Sequence, residues 1–384
     1  MEDCHLFENA KPYLVIIQAT PFCNIDCRYC YLPAKLSKDR ISFDTLRQIY
    51  FQLFAAKLMS GKPSIVWHAG EPLTLPVEFY SRAIDILNEE NKEGLAIENH
   101  IQTNATLINQ EWCNLFRSRQ VKIGVSLDGP EHVHDKNRVD RHGKGTFAKT
   151  MRGVRLLQEN GIEFSVIMVL SRYALGYPEE IFRFFVDNGI NNFAFNVEEQ
   201  EGVNTVSSMR HQYSSLEYED FFRKISRLHT DYPHVRIREL DHVQKAIFHS
   251  NYMRSETSLP LQIVNFDCKG NYSTFCPELL TMTHPRYGDF VFGNVWTEPI
   301  DDIWQNEKFI RVSGEIKRGV DKCRQECEYF FACGGGKPVN KLCENNSFES
   351  TVTDYCRFRV MSLVDVVLDE LEKKHHIHEQ ELHS

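Results

Sequence analysis

The stretch Cys23-Asn24-Ile25-Asp26-Cys27-Arg28-Tyr29-Cys30 decides how the rest of the chain is read. Thiolates are soft ligands that suit iron–sulfur clusters or zinc. Three of them on one tight loop can hold three corners of a cubane cluster and leave the fourth iron without a protein ligand. An open iron can bind a substrate or cofactor, whereas a fully ligated cluster only passes electrons. Zinc is the competing reading. It usually takes a fourth Cys or His at short spacing, and the nearest downstream histidine is His68.

Working outward, the apolar, β-branched run at 13–19 reads as a buried strand that feeds straight into the loop. Residues 42–59 follow with Phe43, Leu46, Ile49, Tyr50, Leu53 and Phe54 at helical spacing and Ser42 as the cap. The alternation repeats, with strands expected at 64–68, 97–102, 122–127, 163–170 and 192–196. Helices are expected at 77–91, 110–119, 147–160 and 178–188. Six strands alternating with helices imply right-handed βαβ units and a parallel sheet, with sites beyond the C-terminal ends of the strands. A loop at 198–212 and helices at 216–230 and 239–250 lead away. From residue 260 glycine and proline become frequent, and seven cysteines fall between Cys268 and Cys356. A loop-rich lobe scaffolded partly by metal–sulfur bonds fits that texture. A helix at 360–374 and a frayed tail at 375–384 close the chain.

Composition narrows the function classes. A chain of 384 residues holds two or three domains, or one large α/β domain with an appendage. With 42% hydrophobic and 25% charged residues it is globular. A net charge of −9 and the lack of a Lys/Arg-rich block argue against nucleic acid as partner. Residues 1–12 carry no signal-peptide core, and no apolar run reaches membrane-span length. Twelve cysteines without a secretion signal fit a reducing compartment, so a cytoplasmic, cluster-bearing protein is expected.

Several strand ends carry polar groups. Trp67-His68-Ala69-Gly70-Glu71-Pro72 closes the second strand. Gly70 would allow close backbone approach to a ligand, and Glu71 could accept hydrogen bonds from an ammonium group. Gln102-Thr103-Asn104 ends the third strand, and Ser126-Leu127-Asp128-Gly129-Pro130 ends the fourth, followed by Asp135, Arg138 and Gly145-Thr146-Phe147. Singly, each could be structural; an Asp before Gly is usually a turn. Their joint order behind the three-cysteine loop resembles the radical S-adenosylmethionine (SAM) superfamily, with Tyr29 at the aromatic position before the last cysteine.

That resemblance implies a partial (β/α)6 TIM-like barrel of α/β class. Cys23, Cys27 and Cys30 would hold a [4Fe–4S] cluster. Tyr29, Gly70, Glu71, Pro72, Asn104, Ser126, Asp128 and Arg138 would line the SAM site, the Arg138 guanidinium pairing the methionyl carboxylate. Reductive cleavage of SAM would yield a 5′-deoxyadenosyl radical that abstracts hydrogen from an unactivated carbon. The barrel would position that carbon and exclude water.

The C-terminal region resembles the SPASM domain of radical SAM peptide maturases, which carries auxiliary iron–sulfur clusters. Cys323-Arg-Gln-Glu-Cys327, Cys333-Gly-Gly-Gly336 and Cys356 supply four thiolates in the family's order, a set that would also suit zinc. The pattern departs from the usual one in three places. Three residues separate Cys323 from Cys327, Lys337 stands where a further cysteine is usual, and one extra residue lies between Gly270 and Cys276. A second auxiliary cluster would need Cys268, Cys276 and Cys343. Cys4 and Cys113 are expected to be ordinary thiols.

The phrases at 271–279, 287–294 and 328–340 resemble the maturases of glycine-rich-repeat and cyclophane-containing peptides. This implies C–C crosslinking of an aromatic ring to a Cβ in a ribosomal precursor peptide with a leader, with Glu278 as candidate base. An external donor of flavodoxin or ferredoxin type would supply electrons. Thioether formation, epimerisation and formylglycine formation, as in anaerobic sulfatase maturation, are the enzymatic alternatives; an iron–sulfur electron carrier or zinc scaffold is the non-enzymatic one. The domains expected are a barrel at 11–235, a helical bridge at 236–262, a SPASM-like lobe at 263–360 and a helix and tail at 361–384. With the barrel beginning at once, no N-terminal peptide-recognition domain is expected before it.

Overall fold

The computed structural model describes residues 12–248 and 255–382; Cys4 lies outside them. The alternation read from the sequence is present. It runs β1 (Leu14–Ile17), α1 (Phe43–Ala55), β2 (Ser64–Trp67), α2 (Val77–Glu90), β3 (Asn99–Thr103), α3 (Gln110–Ser118), β4 (Lys122–Ser126), α4 (Glu131–Asn137), α5 (Phe147–Glu159), β5 (Phe164–Leu170), α6 (Pro178–Asp187) and β6 (Asn192–Val197). The six strands are parallel and pair in chain order. Ser42 caps α1 by accepting the Thr45 N–H at 3.0 Å, a bond whose loss costs about 1 kcal/mol. Leu46, Ile49, Tyr50 and Leu53 of α1 are fully buried against the sheet.

Helices α7 (Ser214–Thr230) and α8 (Arg238–Phe248) flank β7 (Arg236–Ile237), a seventh parallel strand too short to leave a periodic signal. Glu239, wholly buried, accepts the Phe195 N–H at 2.8 Å and so anchors α8 to β6.

The sheet does not stop at the barrel. Strand β8 (Ile263–Phe266) pairs in parallel with β1, and β9 (Asn271–Thr274) pairs antiparallel with β8. The lobe thus covers the β1 edge, which would otherwise present unpaired backbone groups. Beyond β9 come the two-residue strands β10 (Thr283–His284), β11 (Gly288–Asp289) and β12 (Gly293–Asn294). Four helices follow: α9 (Glu307–Glu326), α10 (Phe330–Cys333), α11 (Pro338–Asn345) and α12 (Asp354–Cys356). The twenty-residue α9 is more regular than the loop-rich texture suggested. Buried Gln52 of α1 ties the lobe down: its Nε2 donates to the Val295 and Glu298 carbonyls at 2.8 and 3.0 Å, and its Oε1 accepts the Ile300 N–H at 2.6 Å. A π-helical segment (Arg357–Ser362) leads into α13 (Leu363–Leu382), so the backbone stays helical where a frayed tail was expected. Among the described residues, no helix is long and apolar enough to cross a membrane.

Candidate active site and cluster sites

The first cysteine loop hangs from the C-terminal end of β1 and is held by the segment after α4. The Asp26 and Arg28 N–H groups donate to the Val139 and Asn137 carbonyls at 2.7 and 2.9 Å. Arg141 reaches the Cys23 carbonyl at 2.5 Å. Asn24 ties the loop to β3's end, donating to Thr106 Oγ1 at 2.8 Å and accepting from Asn104 Nδ2 at 2.9 Å. Burial, with Glu71 and the neighbouring thiols adding to it, pushes Cys23 up to about 12. Burial also pushes Cys27 up to about 11, Arg138 opposing it, and raises Cys30. Three half-buried thiols that resist ionisation together would release their protons to a polycation among them, and the donor set fits an iron–sulfur cluster.

The strand-end residues surround this loop, with roles partly different from those expected. Ala69 and Gly70, at φ +65° and +95°, turn the chain sharply after β2. A Cβ on Gly70 would stand 2.3 Å from the Thr20 carbonyl oxygen. Gly70 therefore permits close approach to the cysteine-loop backbone. Glu71, expected to receive an ammonium, is committed inside the protein. Its Oε1 accepts Leu73 N–H at 3.0 Å and Thr103 Oγ1–H at 2.7 Å, and its Oε2 accepts Asn104 N–H at 2.8 Å. Burial raises it to about 6 in spite of those bonds. Glu71 braces the turns after β2 and β3 against each other. Pro72 opens the next turn, its carbonyl accepting the Tyr80 hydroxyl at 2.8 Å.

Asp128 is likewise occupied by protein groups. Its Oδ1 accepts Val169 N–H at 2.9 Å, and its Oδ2 accepts the Tyr29 hydroxyl at 2.5 Å. Arg138 Nε lies 3.0 Å from Asp128 Oδ1, and the guanidinium stands over the Tyr29 ring at 5.5 Å. Tyr29, Asp128 and Arg138 are thus one buried unit beside Cys27. Ser126, half-buried, accepts from Gln102 Nε2 at 2.9 Å. Asp135 caps α5 by accepting the Phe147 N–H at 2.8 Å.

In the lobe, Cys323 from the end of α9, Cys327 just beyond it, Cys333 of α10 and Cys356 of α12 come together. Burial and the other three thiols push Cys356 up to about 12. The Cys333 thiol receives N–H groups from Gly335 and Gly336, which lie at φ +114° and +77°. Lys341, almost wholly buried, donates to Cys323 Sγ at 3.3 Å and to the Gly319 carbonyl at 2.9 Å. Among the described residues no three His, Cys, Asp or Glu side chains converge as a single-ion site. Four gathered thiols would suit zinc as well; the N–H donors at Cys333 are what suit a cluster.

The thiols expected to hold a second auxiliary cluster do not assemble. The β8–β9 register pairs Phe266 with Tyr272 and Val264 with Thr274. Cys268 and Cys276 therefore lie off opposite ends of that hairpin, on the order of 15–20 Å apart at 3.4 Å per residue. Cys268 sits beside Asp267 and Asp39. Cys276 and Cys343 both face Glu201, Glu278 and Lys337 instead of other thiols. Lys337 itself, in the position where a cysteine is usual, makes ion pairs with Glu199 at 2.8 Å, Glu278 at 3.1 Å and Glu201 at 3.2 Å. Burial would lower the ammonium's pKa, but Glu199, Glu201 and Glu278 outweigh it and hold it well above the usual range. Cys113 is buried in α3, its thiol 3.8 Å from the Leu156 carbonyl, as an ordinary thiol would be.

Sequence reading missed Asn24, Thr103, Lys341, Glu199 and Glu201. Their roles depend on partners distant in the chain, which leave no local signal.

Comparison with known proteins agrees with this geometry. The chain matches the radical SAM superfamily model over residues 17–185 and the SPASM iron–sulfur cluster-binding domain over 260–328. It is 44% identical over 366 residues to the uncharacterised protein sll1766 of Synechocystis sp., covering 94% of this chain and 92% of that one. It is 26% identical to the serine-type anaerobic sulfatase-maturating enzyme of Bacteroides thetaiotaomicron, covering 91% and 88%. The solved structure of native anSMEcpe with bound AdoMet and Cp18Cys peptide shares the fold, with a TM-score of 0.76 at 21% identity over 94% of this chain and 98% of that one. The chain thus joins a radical SAM domain to a SPASM iron–sulfur domain, with a [4Fe–4S] cluster, SAM and an auxiliary iron–sulfur cluster as cofactors.

Proposed function

We propose that this enzyme removes two hydrogens from a residue within a peptide or protein. The carrying observation is Glu278: its carboxyl is buried at the barrel mouth, close to Tyr31 of the first cysteine loop and to His68 at the end of β2. Its Oε1 faces Lys337 at 3.1 Å, while Oε2 has no partner and is free to take a proton. Cys23, Cys27 and Cys30 would hold the cluster that binds SAM, and the part of the Arg138 guanidinium not facing Asp128 would receive the methionyl carboxylate. When bound, cluster and SAM supply a 5′-deoxyadenosyl radical that takes one hydrogen atom, and the cluster on Cys323, Cys327, Cys333 and Cys356 supplies an electron acceptor. Glu278 Oε2 then accepts the proton, which closes the balance of one hydrogen atom, one electron and one proton lost.

Two products satisfy that balance. Oxidation of a target serine to formylglycine is favoured by the named relatives, which mature sulfatases. The aromatic-to-Cβ crosslink is favoured by the C-terminal phrases at 271–279, 287–294 and 328–340. A precursor leader and a flavodoxin- or ferredoxin-type donor belong to this proposal as well. The test is mass spectrometry of candidate peptides after anaerobic turnover. Both products are lighter by two hydrogens; an aldehyde that forms a hydrazone marks formylglycine, and resistance to fragmentation between two residues marks the crosslink. A product of unchanged mass with an inverted stereocentre, or a new carbon–sulfur link, would overturn both.

A further inference from the structure

The Lys337 cage has more acceptors than donors. An ammonium has three N–H groups, and the contacts to Glu199, Glu201 and Glu278 use all of them. Asn340 Nδ2 adds one bond to Glu199 Oε2 at 2.7 Å. Three carboxylates stand against one ammonium; burial and the neighbouring Glu199 raise Glu201 well above the usual carboxylate range, which eases the repulsion without supplying a cation. Two acceptors still lack a donor: Glu278 Oε2 and Asn340 Oδ1, in side chains 7% and 0% exposed. Buried acceptors without donors are costly.

The cage is not sealed. The Lys337 and Glu199 side chains keep 14% and 11% exposure. Half-buried Tyr31 and His68 stand beside Glu278 on the barrel side. On the lobe side a cavity of about 200 Å³, bordered by Gly336, Tyr355 and Arg359, reaches Lys337. Arg359 is the cation of that wall; it pairs with Glu239 at 3.7 Å and is near enough to Glu199 to offset part, though not all, of the cage's surplus charge.

From this arrangement we infer that the cage of Glu199, Glu201, Glu278 and Lys337 is a subsite for a cationic side chain of the peptide substrate, a lysine ammonium or an arginine guanidinium. The cation supplies a donor for Asn340 Oδ1 and reduces the surplus negative charge of Glu199 and Glu201, leaving Glu278 Oε2 open to take the proton. It also sets the register of the peptide, because Tyr31 directly follows Cys30 in the loop assigned to the SAM cluster. The inference rests on the peptide-modifying reading above and adds the chemical class of one substrate residue.

The test uses the full chain, anaerobically reconstituted and loaded with SAM. It is titrated with N-acetyl-arginine amide and N-acetyl-lysine amide, and with their neutral counterparts N-acetyl-citrulline amide and N-acetyl-norleucine amide, by calorimetry or saturation-transfer NMR. At least one cationic amide should bind about tenfold more tightly than its counterpart, as a charge-assisted pair implies; which of them does so separates lysine from arginine. Glu199→Gln and Glu201→Gln should abolish most of that preference, with iron content as the control for folding. Equal binding of cation and neutral counterpart, no binding of either cation at millimolar concentration, or a preference that survives both substitutions overturns the inference. If both variants lose iron, the unsubstituted chain alone decides. SAM cleavage by the same preparation keeps the parent reading separate: its absence would overturn that reading, whereas its presence without cation preference overturns only the subsite.

Discussion

The two gathered thiol groups of this molecule are built in opposite ways. Cys23, Cys27 and Cys30 lie on one loop, and the barrel is organised around that loop by hydrogen bonds with Asn104, Thr106, Asn137 and Val139. Cys323, Cys327, Cys333 and Cys356 come from the end of α9, the turn after it, α10 and α12, in a lobe whose own strands are two to four residues long. The first group is a site on a scaffold that stands without it. The second is part of its own scaffold, since gathering thiols from several elements couples ligand binding to folding.

Replacing Cys23, Cys27 and Cys30 together with Ala should break one half of the comparison outright. SAM cleavage to methionine and 5′-deoxyadenosine should vanish while the lobe keeps its iron and acid-labile sulfide. Undiminished cleavage by this variant would refute the assignment of the loop. The complementary change, Cys356→Ala, should remove the lobe's iron and loosen the lobe itself. Amide exchange should then rise across α9, α11 and α13 but not across β2–β5. Equal protection in both regions would show that the lobe, too, is a scaffold independent of its cluster.

A smaller effect is expected at Arg138, the cation beside the first loop. Arg138→Ala should weaken SAM binding by about ten- to a hundredfold, from the ~1.5–3 kcal/mol of a charge-assisted bond. It also strands buried Asp128, so stability should fall. Adding Asp128→Asn should recover stability but not affinity, and recovery of both would mean that Arg138 is only structural.

Lys341 offers the matching probe in the lobe. Its ammonium donates to Cys323 Sγ, which favours the cluster state carrying more negative charge. Lys341→Met should lower the auxiliary cluster's midpoint potential in an EPR-monitored titration, and Lys341→Arg should lower it less. An unchanged potential in Lys341→Met would remove the lysine from that role.

The smallest effect is expected of the thiols that belong to neither group. Single Ser replacements of Cys268, Cys276 and Cys343 should leave iron and sulfide per chain unchanged. A loss of four irons from any of them would restore the second auxiliary cluster that the hairpin register argues against.

What the sequence determined by itself is everything carried by local periodicity and short spacing. The βα alternation, the Ser42 cap and the three-cysteine loop each depend on residues within a few positions of one another, so their pattern survives in one dimension. The order of strand-end motifs was legible for the same reason, because a parallel sheet brings successive strand ends to one edge. The tertiary structure alone decided which polar groups are free and which are occupied. Glu71 and Asp128 look like ligands in sequence, but bonds from Thr103, Asn104, Val169 and Tyr29 occupy them. It also decided that β8 continues the barrel sheet from β1, a pairing of residues some 250 positions apart that leaves no periodic trace. The same holds for Cys268 and Cys276. They are eight residues apart in the chain and lie off opposite ends of a hairpin, because Cys268 is in the turn and the extended strand β9 runs between it and Cys276.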